Sequence, residues 1–235
     1  MTMNMPLALT YLNEDALLHI DMLEAVRREK GELLFAAKEG VLLRHAAADA
    51  YMMSAKDEYT ARSMLNLIPR ADLFVAHQTF TIPLVEEALH LHASLACVQA
   101  VYLGREPVAV QRQHLAIEML DHTHLPFVAQ WYSHQLDPEY LLEQLNAGVM
   151  YGAYVEGALA GFIGEHAEGS IGMLEVLPQF QRCGIGEALE AFQTNRHLAE
   201  GYVPFGQVVE GNTASLKLQE KLGYTLSEGR IYWMK

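Results

Sequence analysis

Cysteines and long apolar segments are scarce in this chain. Its 235 residues include 2 cysteines, Cys97 and Cys183, which lie far apart in sequence. A stabilising disulfide framework of the secreted type is therefore not expected, and the reducing cytoplasm is the predicted location. No run of about eighteen apolar residues occurs, so no transmembrane helix is predicted. Residues 1–6 carry no basic residue before an apolar stretch, so no secretory signal is predicted either.

Positive charge is also in short supply. The chain has 16 Lys and Arg against 29 Asp and Glu, a net charge of −13, and the acidic excess lies mainly in residues 113–235. This balance argues against nucleic acid or an anionic membrane as a partner. It is compatible with a cationic ligand such as an amine, or with acidity that serves solubility alone. A hydrophobic content of 51% with 19% charged residues is typical of a globular protein of one or two domains.

One stretch combines a buried strand, a glycine-containing turn and a helix. Residues 171–177 form an apolar run that predicts a strand, which Pro178 ends because it has no N–H to give. Gln181-Arg182-Cys183-Gly184-Ile185-Gly186 follows, and then strong helix formers. Glycines at such a corner admit a ligand close to the backbone, where the first helical N–H groups attract an anion. The prediction is a phosphate site, and the alternative is a Gly-capped turn. The Walker A and Rossmann patterns do not match.

Gln-x-x-Gly-x-Gly after a strand ending in Val-x-Pro resembles the acyl-CoA-binding motif of the GNAT N-acetyltransferase superfamily. A second match lies in residues 212–224, which resemble that superfamily's last conserved helix: Asn-x-x-Ser/Ala, followed by Lys-Leu-Gly-Phe/Tyr. The resemblance covers mainly residues 113–235. Gln219 stands where many members carry a tyrosine that protonates the departing thiolate. The glycine N-acyltransferase-like subgroup also lacks this tyrosine, so the chain is placed nearest to that subgroup.

The resemblance implies an α/β (α+β) fold. Residues 113–235 would form a GNAT domain with a central mixed, largely antiparallel sheet, whose two strands beside the cofactor splay apart. Residues 1–107 predict the order α-β-β-β-α-β-α-β and lack the glycine motif. They are interpreted as a smaller α/β domain, either a degenerate GNAT-like half or a cap that shapes the acceptor pocket. The polar turn 104–107 is the predicted boundary.

Several local patterns predict individual elements. Helices are expected over Leu17–Lys30, Asp57–Ile68 and Leu84–Leu95, and from Asp121 to about Ser133. Glu156-Gly157 predicts a two-residue hairpin turn.

The activity implied by the resemblance is that of a transferase of the EC 2.3.1 type. The chain would move an acetyl or other short acyl group from acetyl-CoA, or a related acyl-CoA, to the primary amine of a small molecule. Direct attack in a ternary complex is predicted, without a metal, by a monomer or homodimer. The alternative is a non-catalytic acyl-CoA sensor or interaction module that retains the fold.

The resemblance also implies the cofactor contacts. The backbone of Leu174 and Val176 would bind the pantetheine arm. Residues of both motifs would hold the remainder: Gln181, Arg182, Cys183, Gly184, Ile185, Gly186, Glu187, Asn212, Ser215 and Gln219. Because the second half is acidic, a phosphate site here would rely on backbone N–H groups, with Arg182 as the one local cation. Asn212 is equally well interpreted as an ordinary N-cap.

The general base is open at the sequence level. Ser170 occupies the position where several GNAT members keep a catalytic glutamate. The candidates nearby are Glu165, His166, Glu168, Ser170 and Glu175. The segment 164–169 could instead be an exposed polar turn, and Glu175 a structural carboxylate whose burial would raise its pKa. An ordered water relay is a further option.

Two histidine pairs invite a metal interpretation, His90 with His92 and His122 with His124. Both pairs are placed on helices, where a spacing of two residues puts the side chains on opposite sides. No metal site is therefore predicted.

Overall fold

The computed structural model describes residues 4–109, 115–132 and 137–235. It contains two compact units. Unit 1 comprises Met1–Val101, Gln207–Glu220 and Tyr224–Lys235, and unit 2 comprises Tyr102–Gly206 and Lys221–Gly223. The predicted division into residues 1–107 and 113–235 stays a prediction, and residue 113 lies outside the described residues.

Helices and strands are numbered in chain order. The helices are α1 (Met5–Leu12), α2 (Ile20–Arg27), α3 (Glu58–Leu65), α4 (Ile82–Leu89), α5 (Leu125–Trp131), α6 (Pro138–Asn146), α7 (Ile185–Ala199) and α8 (Thr213–Lys221). The strands are β1 (Gly31–Ala37), β2 (Gly40–His45), β3 (Ala50–Ala55), β4 (Phe74–Ala76), β5 (Ala93–Val101), β6 (Leu115–Met119), β7 (Tyr151–Val155), β8 (Ala158–Glu165), β9 (Ile171–Val176), β10 (Phe205–Val209), β11 (Thr225–Leu226) and β12 (Ile231–Met234).

The sheet of unit 1 contains a strand from the far end of the chain. Its order is β1-β2-β3-β4-β12-β5, and β11 pairs with β5. β1, β2 and β3 are antiparallel, and β4 joins β3 in parallel after α3. β12 is antiparallel to both β4 and β5 and therefore fills the position between them.

Helices cover both faces of this sheet, which explains the continuous apolar runs in its strands. Successive residues of β2 and β3 point to opposite cores, so that Leu42 and Met53 face α3 and α4 whereas Leu43 and Met52 face α1 and α2. The carboxylate of Asp57 caps α3 by accepting the backbone N–H of Thr60 at 2.8 Å.

The sheet of unit 2 is antiparallel from β6 to β9 and ends with a parallel pair. β6, β7, β8 and β9 pair in sequence order, and the start of β10 pairs with β9 in parallel through Gly206 and Ile171. The turn between β7 and β8 is the predicted one, because Glu156 and Gly157 have φ of 50° and 82°, as a type I′ turn requires. Two cores lie on the two faces, one against α5 and α6 and the other against α7.

The two units share one plan of connection. In unit 1 three antiparallel strands, β1 to β3, lead into α3 and then into the parallel strand β4. In unit 2 the strands β7 to β9 lead into α7 and then into the parallel start of β10. The mixed, largely antiparallel α/β architecture predicted for the second half is confirmed.

Three of the predicted helices are wrong in extent, and the one predicted over Asp57–Ile68 ends at Leu65. The helix predicted over Leu84–Leu95 ends at Leu89, because His90 adopts a left-handed backbone with φ 58° and the chain then enters β5. The helix predicted over Leu17–Lys30 is shorter, Ile20–Arg27. The predicted helix end near Ser133 lies outside the described residues.

Candidate active site

The glycine motif forms the corner between β9 and α7, as predicted. A short 3-10 turn follows β9, and the exposed residues 181–183 lead to Gly184, the N-cap of α7, with φ 78°. As a glycine, Gly184 has no side chain with which to cap this helix. Because the first N–H groups of a helix have no partner within it, the corner presents backbone donors that can bind an anion.

The loop is tied back to the strand by its first side chain. Gln181 Nε2 donates to the carbonyl of Val176, the last residue of β9, at 3.1 Å. Arg182 follows with a left-handed φ of 65°, and the thiol of Cys183 contacts the carbonyl of Gln181 at 3.5 Å. Gln181 therefore shapes the corner, whereas Arg182 extends into solvent.

A second cation lies at this corner. Glu187, the third residue of α7, carries its carboxylate in the first turn, and Lys221 Nζ lies 2.7 Å from its Oε2. The prediction that Arg182 is the one local cation is therefore wrong. The 34 positions between Glu187 and Lys221 hid the contact, because it depends on tertiary folding.

β9 contains a bulge just before the corner. The ladder with β8 shifts register between Phe162 and Gly164, and Met173 adopts a left-handed φ of 51°. A methionine rarely takes this conformation, so the bulge stores backbone strain of the kind that accumulates at functional sites. Met173 has no feature that would have indicated this in the sequence.

Replacing Gly186 by alanine separates stability from cofactor binding. Gly186 is helical, and an added Cβ would lie 3.6 Å from Val176 Cγ2 and 3.9 Å from Leu174 Cδ2, which are ordinary contacts. We expect Gly186→Ala to stabilise the chain by about 0.5–1 kcal/mol through helix propensity. It should weaken CoA binding at least about tenfold if the predicted phosphate site is correct, because the new methyl group occupies space beside the first N–H groups of α7. Urea unfolding and calorimetric titration with CoA measure the two effects; unchanged CoA affinity would contradict the placement.

Glu165, the last residue of β8, and Glu168, which follows it, are both buried, so the exposed-turn interpretation of residues 164–169 is wrong for these two carboxylates. Glu168 is 5% exposed and Ser170 is fully buried, and Ser170 Oγ donates to Glu168 Oε1 at 2.5 Å. The Glu168 carboxylate therefore lies beside the side chain of Ser170, the position where several GNAT members carry their catalytic glutamate.

One tyrosine of α6 contacts this segment, and a second, at the end of α5, packs against Phe162 of β8. The Tyr140 hydroxyl accepts the N–H of Ala167 at 3.1 Å and lies 3.1 Å from Nδ1 of His166, whose ring stacks on it. Burial raises the pKa of Tyr140, and the charge of Glu168 adds to the effect. Burial also raises the pKa of Tyr132, with contributions from Glu175 and then Glu168. Both phenols therefore stay protonated, and sequence analysis missed both because nothing in α5 or α6 marks them.

Glu165 has a different environment from Glu168. Its Oε1 accepts a hydrogen bond from Gln193 Nε2 at 2.7 Å and lies 3.0 Å from His197 Nε2 and 3.5 Å from Arg196. All three partners belong to α7. Glu165 is therefore best interpreted as a structural carboxylate that fixes α7 to the end of β8.

We expect Glu165→Ala to lower the free energy of unfolding by about 2–3 kcal/mol, because it leaves buried polar partners on α7 without their acceptor. Glu165→Gln is the matched control and should cost clearly less, since an amide oxygen can still accept from Gln193. Urea unfolding of the two variants measures the difference. Equal stability of wild type and Glu165→Ala would contradict the structural role.

Glu175 lies on β9 opposite Phe162 and is half-buried. Asn212, Ser215 and Gln219 of the second motif lie in unit 1. Asn212 Oδ1 accepts the N–H of Ser215 at 3.1 Å, which confirms its N-cap role for α8. Gln219 is buried.

The two histidine pairs, His90 with His92 and His122 with His124, lie in different local structures. His90 ends α4 instead of lying inside it, so the helical placement of the first pair is wrong. His122 and His124 lie in a 3-10 turn, where His124 Nδ1 is 2.9 Å from Asp121. The described parts of the chain contain no group of three side chains suited to a metal ion. Nor do these parts include a helix of the length and apolarity needed to cross a membrane.

Comparison with known proteins gives matches in a family and in solved structures. Residues 146–234 match the family described as FR47-like protein. A Drosophila protein is 17% identical with a TM-score of 0.65, covering 83% of this chain and 73% of its own. A GCN5-related N-acetyltransferase from Kribbella flavida is 12% identical with a TM-score of 0.58 (94% and 95% covered). A GNAT-family acetyltransferase from Colwellia psychrerythraea is 13% identical with a TM-score of 0.53 (96% and 92%).

The search of curated proteins finds no match. At these identities the solved structures speak for the fold, which they share with the chain over most of its length. The family match adds the region that contains both sequence motifs. The resemblance to the GNAT superfamily is thereby confirmed, in the fold of the chain and in the family match of its residues 146–234.

Proposed function

We propose that this chain transfers an acetyl or other short acyl group from acyl-CoA to the primary amine of a small molecule. The observation that carries the proposal is the corner between β9 and α7, where an exposed loop leads to a helix whose N-cap is a glycine with a left-handed backbone. Backbone donors of this kind suit the diphosphate of CoA. The backbone of Gln181 to Glu187 would hold it, with the backbone of Leu174 and Val176 along the pantetheine arm.

The cofactor roles of Asn212, Ser215 and Gln219 are proposals that rest on the second motif. So is a place near the glycine N-acyltransferase-like subgroup. Acyl-CoA supplies the activated thioester when it is bound, and no metal is required for its reaction with an amine. From charge and composition we further propose a cytoplasmic location and no nucleic-acid or membrane partner. The chain is proposed to act as a monomer or homodimer.

The acceptor is proposed to be an amine because of the groups that surround the Glu168–Ser170 pair. The charges of Glu175 and Glu168 both add to the rise in the pKa of Tyr132 that burial causes. Carboxylates and aromatic rings both attract an ammonium group. Glu168 would accept the ammonium proton directly or through one water, and the neutral amine would then attack the thioester carbonyl. His166, Glu175 and Ser170 stay alternatives that variants can test.

An acyl-enzyme is not proposed, although unit 1 does contain a serine–histidine contact. Ser54 Oγ lies 2.8 Å from Nε2 of His19, and also 2.8 Å from Tyr11 Oη and from Gln78 Nε2. Ser54 is fully buried, and Nδ1 of His19 contacts the carbonyl of Leu12 at 3.1 Å. This arrangement satisfies the serine hydroxyl within the core. Direct attack by the amine is therefore the proposed route.

Unit 1 is proposed to be a degenerate GNAT-like half that binds no acyl-CoA. It repeats the strand–helix plan of unit 2, but the carboxylate of Asp57 occupies the N-terminus of α3. The N–H of Ala55, the last residue of β3, donates to Gln78 Oε1 at 2.8 Å. Both groups that could meet a cofactor are thus used internally. One acyl-CoA per chain is the corresponding stoichiometry.

The first experiment is thermal unfolding of the full chain over a range of CoA and acetyl-CoA concentrations. A ligand at a hundred times its Kd should add about 2.7 kcal/mol of stability. Free-thiol release from acetyl-CoA is then followed over a panel of small amines. A saturable stabilisation with thiol release supports the transferase. Stabilisation without release by any amine would favour the non-catalytic sensor, and no stabilisation would overturn the cofactor site.

A further inference from the structure

The Lys221–Glu187 pair lies at the corner that is proposed to hold the diphosphate. Glu187 is in the first turn of α7, 3 residues after the N-cap, Gly184. Its side chain is 16% exposed, whereas that of Lys221 is 61% exposed, so the lysine is the outer partner of the pair. The pair joins Lys221 of the second motif to Glu187, which directly follows the glycine motif.

A carboxylate at the third position of a helix can compete with a bound phosphate. Its negative charge is attracted to the positive end of the helix dipole. Its oxygens can also accept a hydrogen bond from the N–H of the N-cap residue. Either effect opposes an anionic ligand that needs the same N–H groups. Lys221 Nζ, 2.7 Å from Glu187 Oε2, neutralises the carboxylate and holds it in one position.

We propose that Lys221 is a positioning residue for acyl-CoA, which acts by holding and neutralising the Glu187 carboxylate so that the first N–H groups of α7 stay available to the diphosphate. The inference rests on the proposed function of the corner. It gives Lys221 a part in cofactor affinity that does not require the lysine to touch the cofactor.

The test is a cycle of variants in the full chain, with CoA and inorganic pyrophosphate as probes. We expect Lys221→Met to raise the Kd of CoA about three- to tenfold. This is the size expected when the Glu187 carboxylate, no longer neutralised, repels the diphosphate of CoA through partly screening solvent. Lys221→Met/Glu187→Gln should restore the wild-type Kd to within about twofold, because the repelling charge is gone. Lys221→Arg should retain wild-type affinity. In turnover, Lys221→Met should raise KM for acetyl-CoA and leave kcat unchanged, and added salt should reduce the defect.

Lys56→Met is the matched control. Lys56 Nζ forms a comparable exposed pair with Glu14 in unit 1, at 2.6 Å, and its loss should leave the Kd of CoA unchanged. An unchanged Kd in Lys221→Met overturns the inference. A double variant as weak as Lys221→Met also overturns it, because the lysine would then contact phosphate directly. These results leave the proposed function standing, whereas a wild-type chain that binds neither probe overturns both.

Discussion

Replacing Glu168 by glutamine is expected to lower kcat for amine acetylation by about 10²–10³-fold, the contribution of a positioned general base. The amide is nearly isosteric and can still accept the hydrogen bond from Ser170 Oγ, now 2.5 Å from Glu168 Oε1. It cannot take the ammonium proton. Because Glu168 belongs to the acceptor side of the proposed site, KM for acetyl-CoA should stay within about twofold of wild type.

Steady-state kinetics across pH tests this expectation. Loss of the base should lower the plateau of the kcat/KM profile. Glu175→Gln is the matched control, since both carboxylates act on Tyr132. A Glu168→Gln variant with wild-type kcat beside an inactive Glu175→Gln would transfer the role to Glu175. Circular dichroism and urea unfolding check that both variants are folded.

Acid is expected to destabilise unit 1 strongly. Burial, together with the charge of His77, lowers the pKa of His19 to about 4, against opposing contributions from the hydrogen bond to the Leu12 carbonyl and from the charges of Asp21 and Asp15. Burial also lowers the pKa of His45 to about 4; Lys30 and Arg28 add to this effect, and Asp21 opposes it. The ordinary value in an unfolded chain is 6.5 for both.

The free energy of unfolding changes with pH because the unfolded chain binds protons at these histidines more readily than the folded chain does. Between pH 6.5 and about 4, His19 and His45 are protonated in the unfolded chain and neutral in the folded chain. The free energy of unfolding therefore falls as the pH falls through this range. The contribution of each histidine is complete above pH 6.5 and is lost as the pH drops toward 4. The full loss is about 3 kcal/mol for each histidine.

Tryptophan fluorescence can follow unit 1 on its own. The chain has 2 tryptophans, Trp131 in unit 2 and Trp233 in unit 1, so a Trp131→Phe variant reports through Trp233. Urea unfolding of this variant should give a free energy that declines from neutral pH to about pH 5. His19→Gln/His45→Gln in the same background should flatten the decline. An unaltered slope in that variant would place the acid sensitivity elsewhere.

Sequence reasoning succeeded where a local pattern determines the result. The corner at Gly184 follows from a strand, a proline and two glycines within a short stretch, and the turn at Glu156-Gly157 follows from two residues. The N-cap of α8 likewise needs only Asn212 and the helix after it. Such features depend on backbone conformations that few residue types adopt, so they are visible without an alignment.

The features that were missed depend on contacts distant in sequence. The phenol of Tyr140 contacts His166, which is 26 residues away in sequence. Glu165 accepts a hydrogen bond from Gln193, which is 28 residues away. The fully buried Asp21–His77 pair, 2.9 Å apart, joins residues from separate elements of unit 1. The end of α4 at His90 was misjudged because the preceding residues are good helix formers and tertiary structure overrode their propensity.

The place of β12 has a consequence for how the chain acquires its structure during synthesis. A ribosome delivers β4 and β5 long before it delivers Ile231–Met234, the strand that lies between them. Until then the edges of β4 and β5 that pair with β12 have no partner in this sheet, and exposed strand edges promote association with other chains. Unit 1 therefore completes its sheet after unit 2 has been translated, although it contains the N-terminal residues.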